Sequence, residues 1–204
     1  MKIPKSYRYY KLEDLANILH ISDQTYIDML EPLLPAEPSD FLKELIRRNL
    51  PLPMPNEKAK SELLIMPILV EMWVKNQEFK PFSGFSLNID PQKGLKGVCD
   101  FLVSTNPYGN RIQAPVVSIF EAKNDNLEDW YGQCGAEMYA ARIFNEREGN
   151  NITIIHGAVT NGFTWQFLKL EKQILYIDSQ RYGIANLPQL LGAIQKVYDF
   201  YKSK

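Results

Sequence analysis

The chain is poor in cysteine, in histidine and in surplus charge of either sign, and each shortage removes a class of function. Its two cysteines, Cys99 and Cys134, belong to no C-x-x-C pair. That argues against a zinc-thiolate site and a disulfide framework, so a reducing, cytoplasmic setting is the expectation. The two histidines, His20 and His156, lie far apart with no neighbouring ligand residues, which leaves no histidine metal pair. His156 interrupts an apolar run and is read as structural. No run reaches the ~20 apolar residues of a membrane span; the longest, LLIMPILVEMWV, contains Pro67 and Glu71. The opening MKIPKSYRYYKLED has no apolar secretory core, no phosphate-binding G-K-[ST] loop follows Ser83-Gly84 or Gly94 to Gly97, and no repeat is visible. A net charge of −1 does not suit a protein that coats nucleic acid nonspecifically, so any such contact must be local.

What is present is an ordinary globular composition, 45% hydrophobic and 23% charged over 204 residues, enough for one well-filled core. Charge is uneven: residues 61–150 hold twelve acids against eight bases, and residues 151–204 hold six bases against three acids. An acidic site is expected in the middle of the chain. Residues 1–50 read as short helices over 10–20, 22–34 and 38–49, with Ser22 and Ser39 as N-caps. The prolines of PLPMPN, 51–56, form an extended linker to a main domain over 51–204. Asn56 caps a helix over 57–76 that is apolar on nearly every side and kinked at Pro67. Strands follow over 79–89, 97–104 and 115–123, separated by the turns DPQKGLKG and TNPYGN. A long helix over 127–146 repeats Leu127, Trp130, Cys134, Met138 and Ala141 at helical spacing; its Gly132, Gly135, Ala136 and Ala140 allow close approach to a sheet. Strands over 151–160 and 163–171 meet at Asn161-Gly162, which signals a two-residue hairpin turn. QILYID adds a short strand and residues 188–201 a closing helix. This order predicts an α/β fold, a central mixed β-sheet flanked by helices, with an N-terminal helical extension.

Two stretches break the apolar pattern. In VVSIFEAK, Glu121 and Lys123 share one strand face, in line with Val117 and Ile119. In GVCDFLVS, Asp100 sits in mid-strand, with Val98 and Leu102 on one face and Cys99 and Phe101 on the other. Aspartate is a poor strand residue, and a buried carboxylate costs several kcal/mol without a partner. A short turn joins the two strands, so they should be antiparallel neighbours with Asp100 near Glu121. Two carboxylates and the Ala122 carbonyl are hard oxygen ligands suited to Mg²⁺ or Mn²⁺. Lys123 could hold a hydroxide or neutralise charge building on a phosphate.

Asp100 in GVCDFLVS, Glu121 and Lys123 in FEAK, Glu62 in KSELLIMP and Gln133 in WYGQCGAEMYAA together resemble the PD-(D/E)XK, or restriction-endonuclease-like, superfamily over residues 56–170. The resemblance implies metal-dependent hydrolysis of DNA. Asp100 and Glu121 would be metal ligands, Lys123 would assist the water, Glu62 would support the metal or its water, and Gln133 would orient the site. Two positions differ: Cys99 precedes Asp100 where the naming motif has proline, and Glu137 stands one turn after Gln133 where one subgroup has tyrosine. The superfamily also includes members without catalysis, so the alternative is a binding or assembly protein on the same fold. A homodimer or a partner protein is compatible with the sequence. Glu71 is expected to be solvated, as are Lys93, Lys96, Arg47 and Arg48, and Trp73, Trp130 and Trp165 to be core residues.

Overall fold

The structure is a computed structural model in which residues 3–26, 28–105, 112–124 and 126–202 are described. Seven strands build one sheet: β1 (Ser22–Tyr26), β2 (Lys80–Ser86), β3 (Val98–Ser104), β4 (Val116–Ala122), β5 (Ile155–Thr160), β6 (Thr164–Glu171) and β7 (Ile174–Gly183). Their spatial order is β1-β7-β6-β5-β4-β3-β2. Two pairs are parallel, β1 with β7 and β4 with β5; the other neighbours are antiparallel. The helices are α1 (Leu12–Leu19), α2 (Asp40–Asn49), α3 (Glu57–Lys60), α4 (Met66–Lys75), α5 (Tyr131–Arg147) and α6 (Leu187–Lys202). They cover the sheet on both faces and create two apolar clusters. One joins α2, α4 and α6 to Phe101, Phe120, Trp165 and Phe167; the other joins α1 and α5 to Leu102, Ile119, Val159 and Leu168. Every residue of β4 is buried, as expected of a strand covered on both sides. The α/β class and the mixed sheet agree with the sequence reading, and among the described residues no helix is long and apolar enough to cross a membrane.

Several local expectations are corrected. Residues 22–26, read as the start of a helix, form the edge strand β1, because in-register pairing from Ser22↔Ile174 to Tyr26↔Asp178 outweighs local propensity. The N-terminal fifty residues are therefore not wholly helical, and their Leu15, Leu19, Leu42 and Ile46 are core residues. Ser39 and Asn56 do cap α2 and α3, accepting from Leu42 N–H at 3.1 Å and Ala59 N–H at 2.9 Å. The helix over 57–76 is interrupted by a π turn, Ser61–Ile65, which ends two residues before Pro67. Pro67 has no N–H for the Leu63 carbonyl, and the Asn49 side chain donates to that oxygen instead, at 2.7 Å. β5 ends at Thr160 and β6 starts at Thr164, so residues 161–163 form a longer loop than the expected two-residue turn. Asn161 Oδ1 accepts from the N–H groups of Phe163 and Thr164 in that loop. Of QILYID, residues 174–178 are the first part of the ten-residue β7. TNPYGN lies almost wholly outside the described residues.

The small residues of α5 act in a second direction as well. A Cβ on Gly132 would lie 2.3 Å from the Lys11 carbonyl carbon, and one on Gly135 would meet Leu15. Gly132 thus permits close approach to the N-terminal segment, and Gly135 permits it both to α1 and to the sheet, where Leu175 of β7 would lie 3.0 Å from that Cβ. α5 is thereby enclosed between α1 and the sheet, and even Arg142 and Asn145 on it are buried.

Candidate functional site

The β3–β4 ladder ends where its two carboxylates begin. Backbone partners run Leu102↔Ile119 and Phe101↔Phe120, and the next step would oppose Asp100 and Glu121. There the side chains take over. The Asp100 N–H donates to Glu121 Oε1 at 3.2 Å, and the Ala122 N–H donates to Asp100 Oδ2 at 2.9 Å. On the other side of β3 the pairing with β2 skips the same step, passing from Ser83↔Phe101 to Phe85↔Cys99. Gly84, at φ 64°, occupies the gap, a left-handed conformation that disfavours any side chain. Irregularity on both flanks moves Cys99 into the α5-side cluster while Phe101 packs on the α4/α6 side, so these two do not share a face as the alternation predicts.

A second irregularity sets the phase of β4. Val103 pairs with Ser118 and Ser104 with Val116, leaving Val117 as an extra residue that reverses the alternation. Ile119 and Glu121 therefore face α5, whereas Val117 joins the opposite cluster. Of the two apolar residues expected in line with Glu121, only Ile119 is.

Glu121 is fully buried and Lys123 nearly so. The Lys123 Nζ lies 3.1 Å from Glu121 Oε2 and 3.9 Å from Asp100 Oδ2, so one ammonium serves two carboxylates. Its third neighbour is Trp130, whose ring centroid is 4.5 Å away; such a contact is worth about 2 kcal/mol when desolvated. Trp130 thus orients a site cation in addition to packing. Gln133, one turn into α5, donates through Nε2 to Glu121 Oε2 at 2.7 Å and to Glu137 Oε1 at 3.0 Å. Glu137 is fully buried and was not among the expected site residues. The signal for it was available: it is four residues after Gln133, and that spacing puts both on one helix face.

Glu62 is not brought into contact with these groups. It lies in the π turn with its side chain 60% exposed, paired to Lys58. It does share with Asp100 an open groove of about 320 Å³, lined also by Glu57, Ser61, Ser83 and Gly84. The other polar candidates have structural explanations. His156 bonds the Tyr201 hydroxyl through Nδ1 at 2.7 Å, His20 is the left-handed C-cap of α1, and Arg47 and Arg48 both pair with Glu44. Glu71, expected to be solvated, is buried and accepts from the Ser39 N–H and hydroxyl.

The site is short of positive charge. Burial, and then the Glu121 charge, raise the Asp100 carboxyl to about 7, although Lys123 and the Ala122 N–H oppose the shift. Burial and the Glu121 charge likewise push Glu137 well above the usual carboxylate range. Burial alone would lower Lys123, but Glu121 and Asp100 outweigh it and hold the ammonium charged. Glu137 Oε2 and Gln133 Oε1 are buried without a partner among the described residues. Also among the described residues, no group of three or more His, Cys, Asp or Glu side chains is arranged to hold a metal ion. Asp100, Glu121 and the Ala122 carbonyl still fit a hard divalent ion in charge and donor type, since such ions accept one or two carboxylates and take their remaining ligands from water and substrate. The Ala122 N–H points towards Asp100, and in an extended strand the carbonyl of the same residue points to that side too. No protein-family model matches the chain, and no curated protein matches it.

Proposed function

We propose that this chain hydrolyses phosphodiester bonds with the help of Mg²⁺ or Mn²⁺, as a DNA endonuclease on a restriction-endonuclease-like core. The observation that carries this reading is the convergence of Asp100, Glu121 and Lys123 where β3 and β4 part, beside a groove open to a substrate. Asp100, Glu121 and the Ala122 carbonyl would hold the ion, which would neutralise a phosphoryl oxygen and acidify the attacking water. Lys123 keeps a full charge next to the place where negative charge develops, fixed by two carboxylates and the Trp130 ring. Gln133 holds Glu121 Oε2 in place. Glu62 and Lys58 flank the way in. A near-neutral chain would contact DNA locally, through lysines such as Lys58 and Lys60 on α3, rather than through a broad basic face.

A second reading, a non-catalytic binding or assembly protein on the same fold, is favoured by one observation. Glu121 is already engaged by Gln133, Lys123 and the Asp100 N–H, as in a closed structural network. Two measurements separate the readings. Calorimetric titration of Mn²⁺ should give heat with the wild type and none with Asp100→Ala, Glu121→Ala; equal heats would remove the cation site. With Mg²⁺ or Mn²⁺, supercoiled, linear or single-stranded DNA should be cut by the wild type and spared by Lys123→Ala. DNA left intact by both, despite Mn²⁺ binding, selects the non-catalytic reading.

A further inference from the structure

Glu137 is an expensive residue where it stands. It is fully buried on α5 among Cys134, Met138, Ala140 and Ala141, where an apolar side chain would fill the space without desolvating an acid. The polar groups that it meets are the Glu121 carboxyl and the Gln133 amide, and the amide donates to it. That amide has two hydrogens, and both are taken: one by Glu121 Oε2 at 2.7 Å, the other by Glu137 Oε1 at 3.0 Å. A glutamine amide can turn over and exchange its nitrogen and oxygen. Turned over, Oε1 would confront the Glu121 carboxylate, and the Glu137 oxygen that now accepts would lose its donor. Without Glu137 only the Glu121 contact would oppose that turn, and the outer side of the amide supplies no anchor, since Gln133 Oε1 has no partner among the described residues.

We propose that Glu137 is a positioning residue for the cation site: as the second acceptor of the Gln133 amide, it keeps the NH₂ edge towards Glu121 and so fixes how the Glu121 carboxylate faces Asp100. The cation part rests on the function proposed above; the orientation of Gln133 does not. Glutamine at position 137 offers the same acceptor oxygen, whereas methionine offers none at similar size.

The test compares the full chain with Glu137→Gln and Glu137→Met. In metal-free protein, the side-chain NH₂ resonances of Gln133 should keep both hydrogen-bonded shifts in wild type and in Glu137→Gln, and lose one in Glu137→Met. In Mn²⁺ titrations, Glu137→Gln should bind within about twofold of wild type and Glu137→Met about tenfold more weakly, the usual cost of losing a partner behind a metal ligand. Unchanged resonances together with unchanged affinity in Glu137→Met overturn the proposal. Equal weakening in both variants overturns it too, because it assigns Glu137 a role that its acceptor oxygen does not explain. If wild type binds no Mn²⁺, the cation site falls, and the metal-free resonances alone decide the Glu137 role: retention in Glu137→Met rejects it, loss of one upholds it.

Discussion

Two sets of buried acids sit on opposite faces of the sheet and are treated in opposite ways. On the α4 side, burial works against Glu71, but the Ser39 hydroxyl, the Ser39 N–H and Lys75 outweigh it and hold its carboxyl below the usual range. The Ser39 N–H and hydroxyl lie at 2.8 and 2.7 Å, and Lys75 Nζ at 3.2 Å. On the α5 side, Asp100 and Glu121 share one ammonium, Glu137 pairs with none among the described residues, and Asp100 and Glu137 are raised. Glu71 is an acid whose partners are complete: it ties the N-terminus of α2 to α4. The α5-side set has more negative charge than its own residues compensate, which is the electrostatic condition for taking up a cation.

The comparison is broken most forcefully at the α5-side set. Removing the Lys123 ammonium should lower DNA cleavage by about a hundredfold or more, the scale expected for a lost charge at a developing anion. Turnover of a nicked-plasmid assay measures it, and a Lys123→Ala variant that cuts as fast as wild type would return the lysine to a packing role. Glu71→Ala should leave Mn²⁺ binding untouched yet destabilise the fold by about 1–3 kcal/mol, because it orphans the Ser39 N–H in a partly buried place. Urea unfolding reads that loss. A Glu71→Ala protein with altered Mn²⁺ affinity would mean that the two faces are not independent.

The two sets should also answer pH with opposite slopes. Asp100 titrates near 3.9 when unfolded and at about 7 when folded. Between those values the folded protein holds the proton more firmly, so its stabilising contribution is complete below about 4 and is lost as pH rises towards 7. Asp100→Asn should flatten that decline in metal-free protein. Mn²⁺ affinity should climb over the same interval, since binding must displace the proton. Glu71 is depressed, so its contribution is present at neutral pH and fades as pH falls through the acid range; only Glu71→Gln should remove that fading. Thermal melting from pH 4 to pH 8 follows both. The smallest effect belongs to Glu62→Gln: the side chain is exposed and paired to Lys58, and Mn²⁺ affinity should change by less than about threefold, within the range of an exposed ion pair.

The chemistry at the site was legible because it interrupts apolar strands. An aspartate inside GVCDFLVS and a glutamate and lysine at the end of VVSIFEAK contradict burial so directly that a joint use is the economical explanation, whereas Gln133 was singled out only by the family resemblance. The Ser39 and Asn56 caps were legible for a local reason, since each bonds an N–H three residues on. Glu137 was passed over because an acid on a helix normally faces solvent, and its burial requires α1 to cover α5. Trp130 looked like core filling, and its place over Lys123 depends on where the loop after β4 runs. β1 was misread because SDQTYIDML carries helical periodicity, while its strand state is decided by β7, about 150 residues away.

By itself the sequence determined the alternation of strands and helices after residue 56, the helix starts at Ser39 and Asn56 and the choice of Asp100, Glu121 and Lys123 as the unusual residues. These depend on backbone propensity, side-chain period and the cost of burying charge, all of which act over a few residues. Only the tertiary structure decided that Val117 bulges and turns Glu121 to the α5 side, that Glu137 completes the set, and that Glu62 stays at the lip of the groove. Those outcomes are matters of register and of which surfaces close on each other. A shift of one residue in register moves a side chain from one face of the sheet to the other, and no short stretch of sequence specifies it.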